Sequence, residues 1–403
     1  MNLYTSLTLR YLKQNKRRTL VTIIGIILAT ALICGIGNIC TSFMDYQMRG
    51  QIQSSGSFYA TFSNIDKEKA QIVTKSSNVT RYGYSQSLGG TILDKEKNIE
   101  LYINAYDKNK IESYRLTLKE GKYPKNKNEI VVSEGLLKHL NKKIGDKVTF
   151  EIGDLEYTEG TDIPKLINPQ KNTYKIVGIL NKTPLSYNSQ FFALAGFDIN
   201  AVSSKDKFDV SICTKNPKDI YNTAISIGQN IGLVQKDDPK DKSYNYDGQT
   251  SLYFKDINYN EGLLRLLGAS SYDNINTTLI LIVGLVASLV IIATIATIYN
   301  SFSIAISERK KQFGILNSIG ATKSQIMKLV FLEGFLVSIV GIPIGLLSGT
   351  VAIDIVFKVI KTFFKTSMFG ELDLRLVFSP IVLILSTLVI LLTIFISAII
   401  PAI

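Results

Sequence analysis

Four long apolar blocks dominate the hydropathy pattern of this chain. They run Leu20–Cys40, Leu279–Ile298, Leu329–Ile353 and Val377–Ile403. Each holds at most one ionisable residue and is near or above the roughly 20 residues that a helix needs to cross a bilayer. The first block outlasts the apolar core of about 7–15 residues in a secretory signal, and no small-x-small cleavage site closes it. The pattern therefore predicts four transmembrane helices.

The hydropathy pattern predicts a separate domain over residues 45–276, between the first two apolar blocks. Short strand-like runs and helical stretches occur there without strict alternation, which favours an α+β domain over a doubly wound sheet. The predicted strands are Phe58–Phe62, Glu100–Tyr106, Glu129–Val132, Lys147–Ile152, Tyr174–Leu180 and Phe208–Ile212, and the predicted helices are Asp66–Lys75, Glu134–Leu140 and Lys218–Asn230. The polar stretches Asp154–Asn172 and Gln235–Gly248 are predicted as long loops.

The net charge of +12 is concentrated outside that domain. Residues 45–276 carry 31 Lys and Arg against 28 Asp and Glu, a net of +3. Ten of the other 14 basic residues fall in two places: Arg10, Lys13, Lys16, Arg17 and Arg18 before the first block, and Arg309, Lys310, Lys311, Lys323 and Lys328 between the second and third. Because basic flanks stay in the cytoplasm, both segments are predicted inside. The predicted fold is an α-helical membrane protein with four transmembrane helices plus an α+β extracytoplasmic domain inserted between helices 1 and 2.

The first residues have two open interpretations. Leu3, Leu7 and Tyr11 are spaced four apart ahead of the basic run, as in a helix that lies in the inner membrane interface. The segment is equally well explained as a positively charged flank of the first span.

The stretch from Ser307 to Gln325 is the most informative part of the chain. Phe313, Leu316 and Ile319 recur every three residues, which predicts a short helix with one apolar stripe. Gly320 stands where a helix C-cap glycine belongs, and Thr322 with Gln325 has the spacing of a capping box. We therefore expect a compact helix, a tight turn and a new helix. The apolar stripe needs a cover, which is either the lipid interface or a cytoplasmic partner.

Glycines in the third block recur in two successive G-x-x-x-G steps, at Gly341, Gly345 and Gly349. Such a strip lets another helix approach closely, either one of this chain or one of a second permease half. Pro343 within the strip lacks a backbone donor and is expected to kink the helix.

Catalytic, metal and cofactor sites are not predicted. His139 is the only histidine, and the three cysteines are scattered, so zinc sites and histidine-based triads lack their ligands. The segment Gly314–Ser324 fails as a phosphate-binding loop, because Gly320 follows Gly314 by six residues and Lys323 does not follow it directly. The chain is therefore not expected to be an enzyme.

The motif after the second block resembles that of the FtsX-like permease family, in particular the MacB and lipoprotein-release type of ABC transporter membrane subunit. It consists of Glu308-Arg309-Lys310, Phe313-Gly314-Ile315-Leu316 and Ile319-Gly320-Ala321-Thr322, with Glu333 entering the third span. The family's short cytoplasmic helix docks onto a separate ATPase. The resemblance thus implies an ATPase-coupling site at Glu308, Arg309, Phe313, Gly314, Ile315, Leu316, Ile319, Gly320 and Ala321.

The domain between the first two spans is similar to the extracytoplasmic core domain of the same transporters. The similarity lies in Gly121-Lys122-Tyr123-Pro124, Asn128–Ser133, Gly145–Val148 and Tyr174–Ile179. It implies three segments: 1–44 with an interfacial helix and transmembrane helix 1, 45–276 as a MacB-like core domain, and 277–403 as an FtsX-like domain with helices 2 to 4 and the coupling helix.

The resemblance implies a permease that transmits cytoplasmic ATP hydrolysis to its outer domain. Its implied substrates are hydrophobic or peptide-like molecules that are exported or extracted, with antimicrobial peptides as one candidate. The spans carry almost no charge that could line an aqueous pore. The alternatives are a non-transporting FtsX-like regulator of an extracytoplasmic cell-wall hydrolase and a membrane-anchored receptor or enzyme.

The implied partners are a cytoplasmic ABC-type ATPase, membrane lipid and a second permease half. The chain stops at Ile400-Pro401-Ala402-Ile403 without a basic flank. We therefore expect that it is the first half of a longer permease or is truncated at its last span. A homodimer or a heterodimer would otherwise complete the unit.

Overall fold

The computed structural model describes residues 3–157, 164–181, 185, 190–236, 243–244, 250–272, 275–318, 322–363 and 374–399. The chain divides into two compact units. One comprises Met1–Tyr46 with Thr277–Ile403, and the other comprises Gln47–Asn276. The first holds the apolar helices and the second holds the strands, so each is described separately.

Ten α-helices and twelve strands are present in the described residues. The helices are α1 Leu3–Gln14, α2 Lys16–Ser55, α3 Lys67–Lys75, α4 Lys108–Ser113, α5 Glu134–Leu140, α6 Ile220–Asn230, α7 Glu261–Leu266, α8 Ile275–Ser318, α9 Lys323–Phe363 and α10 Pro380–Ile399. The strands are β1 Ala60–Ile65, β2 Val79–Asp94, β3 Ile99–Tyr106, β4 Leu118–Gly121, β5 Glu129–Ser133, β6 Lys147–Glu156, β7 Lys165–Leu180, β8 Gln190–Gly196, β9 Phe208–Thr214, β10 Ser243–Tyr244, β11 Thr250–Ser251 and β12 Ile257–Tyr259.

Four helices within the described residues are long and apolar enough to cross a membrane, which confirms the predicted number. The candidate spans are Lys16–Ser55, Leu281–Asn300, Ser324–Phe363 and Pro380–Ser397. Their buried side chains form an aliphatic cluster that includes Ile26, Ile298, Val337 and Ile390. Many other apolar side chains on these helices are exposed, as expected for surfaces that face lipid.

The other unit is an α+β domain built on one mixed sheet, as the sequence predicts. The strand order is β10-β11-β12-β1-β9-β2-β3-β8-β5-β7-β4, with β6 paired to β2 and β7. The pairs β3–β8 and β5–β7 are parallel, and the other pairs are antiparallel. The larger of two buried clusters of aliphatic and aromatic side chains has Phe62, Leu101 and Ile176 among its fully buried members. The smaller one includes Val131 and Leu194.

The predicted strands and helices of this unit are confirmed, although β7 begins at Lys165 rather than at Tyr174 and the other ends shift by a few residues. Local capping explains two of the helix starts. Asp66 accepts a hydrogen bond from the amide of Lys69, and Ser133 accepts one from the amide of Leu136. These side chains satisfy amides that the first turn of each helix leaves unpaired, so α3 and α5 begin directly after them.

The prediction of a long loop over Asp154–Asn172 is wrong. Strands β6 and β7 pair antiparallel from Lys147 with Lys175 to Glu156 with Lys165. Most side chains of Lys165–Thr173 are exposed, so this part of the hairpin lacks the hydrophobic alternation that marks a half-buried strand. The other predicted loop, Gln235–Gly248, lies largely outside the described residues.

Candidate functional site

The predicted coupling segment lies on α8. The apolar window of this helix ends at Asn300, but the helix continues to Ser318, and so the expected separate short helix does not exist. The added segment is rich in Glu, Lys, Arg and Gln, which are good helix formers, and it contains no proline. The span helix therefore runs on into the polar segment without a break.

Two residues of the predicted ATPase contact can be placed with their surroundings. Gly314 and Ile315 are exposed, and 55% of the Ile315 residue surface remains accessible. Glu308, Arg309, Phe313 and Leu316 belong to α8, although their side chains lie outside the described part of the structure. Ile319, Gly320 and Ala321 are outside it altogether.

The capping box after this segment is confirmed. The backbone amide of Thr322 donates to the side-chain oxygen of Gln325 at 2.9 Å, and the amide of Gln325 donates to the Thr322 hydroxyl at 3.3 Å. These reciprocal bonds satisfy two donors that the helix start leaves open. Helix α9 consequently begins at Lys323, a few residues after α8 ends.

The glycine strip of α9 lies against α2 of the same chain. A Cβ atom built on Gly341 would lie 2.7 Å from the Ile26 side chain, and one on Gly345 would lie 2.5 Å from Thr30. A Cβ on Gly349 would come within 2.6 Å of the Ala31 carbonyl oxygen. Only glycine permits this approach. Of the two partners considered for the glycine strip, the helix that contacts it is therefore α2 of the same chain rather than a helix of a second permease half.

A charged pair joins α2 and α9 near the start of both helices. The Arg18 guanidinium lies 3.8 Å from the Glu333 carboxylate, and it also donates to the Tyr11 hydroxyl of α1 at 2.7 Å. Sequence reasoning counted Arg18 as part of a basic flank and missed this contact. The available signal was Glu333, the one carboxylate inside the third apolar block, because such a group needs a partner.

Polar side chains also connect the two helices farther along. The Asn38 amide donates to the Thr350 hydroxyl at 3.3 Å, and the Cys34 thiol lies 3.9 Å from the Leu346 carbonyl oxygen. Asn38 is almost fully buried. Hydrogen bonds between spans fix the register of a helix pair, because an unpaired amide in hydrocarbon is costly.

The segment before α10 is attached to α2 by a second charged pair. Arg375 donates to both oxygens of Asp45, each at 3.0 Å, and the Val377 amide donates to the Ser42 hydroxyl at 3.0 Å. Sequence reasoning gave neither residue a role. Two parallel bonds to one carboxylate define a direction as well as a distance, so the pair orients the segment that leads into α10.

In the α+β unit, Asn260 secures the chain at the end of α2. Its amide nitrogen donates to the carbonyl oxygens of Ser55, Gly56 and Phe58. Its side-chain oxygen accepts from Gln51 at 3.0 Å. Asn260 is 2% exposed, and so this one side chain supplies partners to backbone groups that water does not reach.

A buried carboxylate stands at the start of β3. Glu100 accepts hydrogen bonds from Tyr102, Tyr157 and Gln190 at 3.0, 2.8 and 3.2 Å. Burial, together with the close Tyr157 hydroxyl and the hydrogen bond to Glu100, raises the pKa of Tyr102 well above its ordinary value. The neutral phenols thus donate to the carboxylate, and Tyr157 holds the end of β6 at β3.

A second carboxylate, that of Asp209 on β9, is half-buried. It accepts from the backbone amide of Asn64 at 3.0 Å. Burial raises its pKa above the ordinary range, an effect that this amide and nearby Lys110 partly oppose. Among the described residues, no group of three His, Cys, Asp or Glu side chains could hold a metal ion.

Comparison with known proteins identifies both units. Residues 19–219 match the model of the MacB-like periplasmic core domain, and residues 284–403 match that of the FtsX-like permease C-terminal domain. The ABC transporter permease YtrF of Bacillus subtilis is 26% identical over 371 residues, which are 84% of this chain and 80% of that protein. LolC of Haemophilus influenzae, a lipoprotein-releasing system transmembrane protein, is 35% identical over 69 residues, or 17% of this chain and 18% of that protein.

Among solved structures, the extracellular domain of the ABC-type transporter YknZ from Gram-positive bacteria aligns at 13% identity. The alignment covers 43% of this chain and 94% of that domain, with a TM-score of 0.28, which is too low to define a shared fold. The family matches and YtrF identify the chain as a multi-pass permease of the ABC transporter class. It belongs to the FtsX-like permeases that carry a MacB-like periplasmic core domain.

Proposed function

We propose that this permease transmits ATP hydrolysis by a separate cytoplasmic ABC-type ATPase to its outer domain, and that the C-terminal end of α8 is the ATPase contact. The contact comprises Glu308, Arg309, the Phe313–Leu316 segment and Ile319–Ala321. The supporting observation is exposed Ile315 on the part of α8 that continues 18 residues past its apolar window. An apolar side chain beyond the span gains stability when a partner covers it.

Ile315→Asp tests this contact, because it places a charge in an apolar interface. We expect the ATPase to co-purify with the wild type and about 10- to 100-fold less with the variant, as for the loss of a strong interface residue. Ser307→Asp adds the same charge at an exposed polar position of α8 and is the matched control. Undiminished co-purification of Ile315→Asp would remove this surface from the proposal.

The proposed topology has the N-terminus and the α8–α9 connection in the cytoplasm and residues 45–276 outside, divided into the segments 1–44, 45–276 and 277–403. The distribution of basic residues supports it. An impermeant thiol reagent should label a cysteine at exposed Lys125, but not one at exposed Ser307, in intact cells. Labelling at Ser307 alone would reverse the topology.

The proposed activity is export or extraction of hydrophobic or peptide-like substrates, antimicrobial peptides among them. The outer domain would change its arrangement while the spans transmit the change, since they carry almost no charge to line a pore. Substrate-stimulated ATP hydrolysis by the reconstituted complex tests this activity. A cell-wall hydrolase that binds the outer domain and replaces substrate as the stimulus would favour the regulatory alternative.

A further inference from the structure

The corner between α1 and α2 concentrates positive charge at the protein surface. Lys13 lies in the last turn of α1, and Lys16 and Arg17 begin α2. All three side chains are exposed and border one shallow, open groove, which residues 13–18 line. Within the described residues none of the three makes an ion pair, and the first acidic residue of the sequence is Asp45. Like charges so close together repel, so an anion bound at this corner would be stabilised.

The structure separates Arg18 from this group. Its guanidinium turns inward to Glu333 and Tyr11, whereas its three basic neighbours remain at the surface. The four basic residues Lys13, Lys16, Arg17 and Arg18 therefore have two different roles. One cation joins the helices, and three are available to a ligand from outside the chain.

An exposed apolar stripe continues from Arg17 along α2. Val21, Ile24 and Leu28 follow it at helical spacings of four, seven and eleven residues, which places all four on one face. The three apolar residues are 65%, 44% and 59% exposed. They lie in the candidate span that starts at Lys16, so the positive groove is at the end of a surface that faces hydrocarbon. A ligand that matches both features has an anionic head and apolar tails.

We propose that the α1–α2 corner is a binding site for an anionic phospholipid. Lys13, Lys16 and Arg17 bind its phosphate, and its acyl chains lie along Val21, Ile24 and Leu28. Free phosphate would use the cations alone, and an acidic protein surface would leave the stripe unexplained. The site does not depend on the proposed ATPase contact. Because α1 packs against α9, the bound lipid also holds α1 beside the helix that follows the α8–α9 connection.

The test measures lipid binding to the full-length protein by native mass spectrometry. Wild-type protein is titrated with phosphatidylglycerol and, separately, with phosphatidylcholine of the same chain length. We expect a clear preference for phosphatidylglycerol. Each cation near an anionic surface contributes about a fivefold change in affinity, so Lys16→Gln/Arg17→Gln should bind it about 25-fold more weakly. The control Lys358→Gln/Lys361→Gln removes two charges near the C-terminal end of α9 and should bind like the wild type.

The wild-type comparison requires no variant, so a folding defect cannot obscure the result. Equal binding of the two lipids by the wild type would overturn the proposal, as would equal losses in the two double variants. Inorganic phosphate that binds as tightly as the lipid would show that the apolar stripe contributes nothing, and would refute a lipid site. Unchanged lipid binding with loss of a co-purifying protein would assign the corner to that protein instead.

Discussion

The Arg18 guanidinium of α2 lies 3.8 Å from the Glu333 carboxylate of α9, and both side chains are largely buried. A charge within a span is costly unless an opposite charge or hydrogen bonds compensate for it. The pair therefore stabilises one relative placement of the two helices. Since α9 starts at the capping box after the predicted coupling segment, the pair fixes α2 to the helix that follows that segment.

Replacing Glu333 with alanine should destabilise the membrane unit. The change leaves the largely buried Arg18 without this carboxylate, and such losses cost about 3–5 kcal/mol for buried pairs. The thermal unfolding of the full-length protein in detergent measures the effect. Lys328→Gln removes an exposed charge from the same helix and should unfold like the wild type. A Glu333→Ala protein as stable as this control would show that the pair does not hold the helices.

Replacing Gly345 with alanine should force α2 and α9 apart. Its new Cβ would lie 2.5 Å from the Thr30 Cβ and 2.8 Å from the Ile27 carbonyl oxygen, and neither atom can move without the helix. Overpacking of this kind costs about 1–3 kcal/mol. Gly284→Ala is the control, because nothing lies within 4 Å of its Cβ and alanine favours a helix. Equal melting temperatures for the two variants would contradict the close contact.

Replacing Asn260 with aspartate should weaken the attachment at the end of α2. Aspartate keeps the shape but loses the amide that donates to three carbonyl groups, and each buried acceptor left unsatisfied costs about 1–3 kcal/mol. Hydrogen exchange of residues 51–58 in the full-length protein should become faster. Asn222→Asp, at an exposed site on α6, supplies the same chemical change away from this contact. Equal exchange in both variants would mean that Asn260 does not secure this segment.

The stability of the α+β unit should fall as pH rises through the titration of Asp209. Its folded-state pKa is raised by burial, so the folded state keeps a proton that the unfolded state has already released. Stability therefore declines from the ordinary pKa of an aspartate up to the raised value. Asp209→Asn should remove this decline and gain stability relative to the wild type as pH increases. Asp219→Asn makes the same chemical change at an exposed position and is the control. Parallel profiles for the wild type and Asp209→Asn would refute the assignment.

Features with a strong local signal were predictable from the sequence. The apolar windows gave all four spans, and Thr322 with Gln325 gave the start of α9 because a capping box needs only neighbouring residues. The strand Val79–Asp94 was missed. It contains Gly83, Gly89 and Gly90, and its pairing with β3 includes register shifts, so no regular alternation marks it.

Contacts between distant residues were not predictable in the same way. Arg18 appears in the sequence as one of five basic residues, and only the packing of α1, α2 and α9 sets it apart. The end of α8 was also misjudged, since a short helix and the continuation of a span have the same local periodicity. The glycine strip predicted a close contact with another helix. Only the tertiary structure shows that this helix is α2.

The proposed coupling rests on a contact between the C-terminal end of α8 and an ABC-type ATPase. A photo-crosslinking amino acid at Ile315 in intact cells probes this contact, with the same substitution at Val234, an exposed apolar residue of the α+β unit, as the control. We predict that mass spectrometry identifies an ABC-type ATPase in the product from position 315 and none in that from position 234. An ATPase crosslinked only from position 234, or from neither position, would contradict the claim.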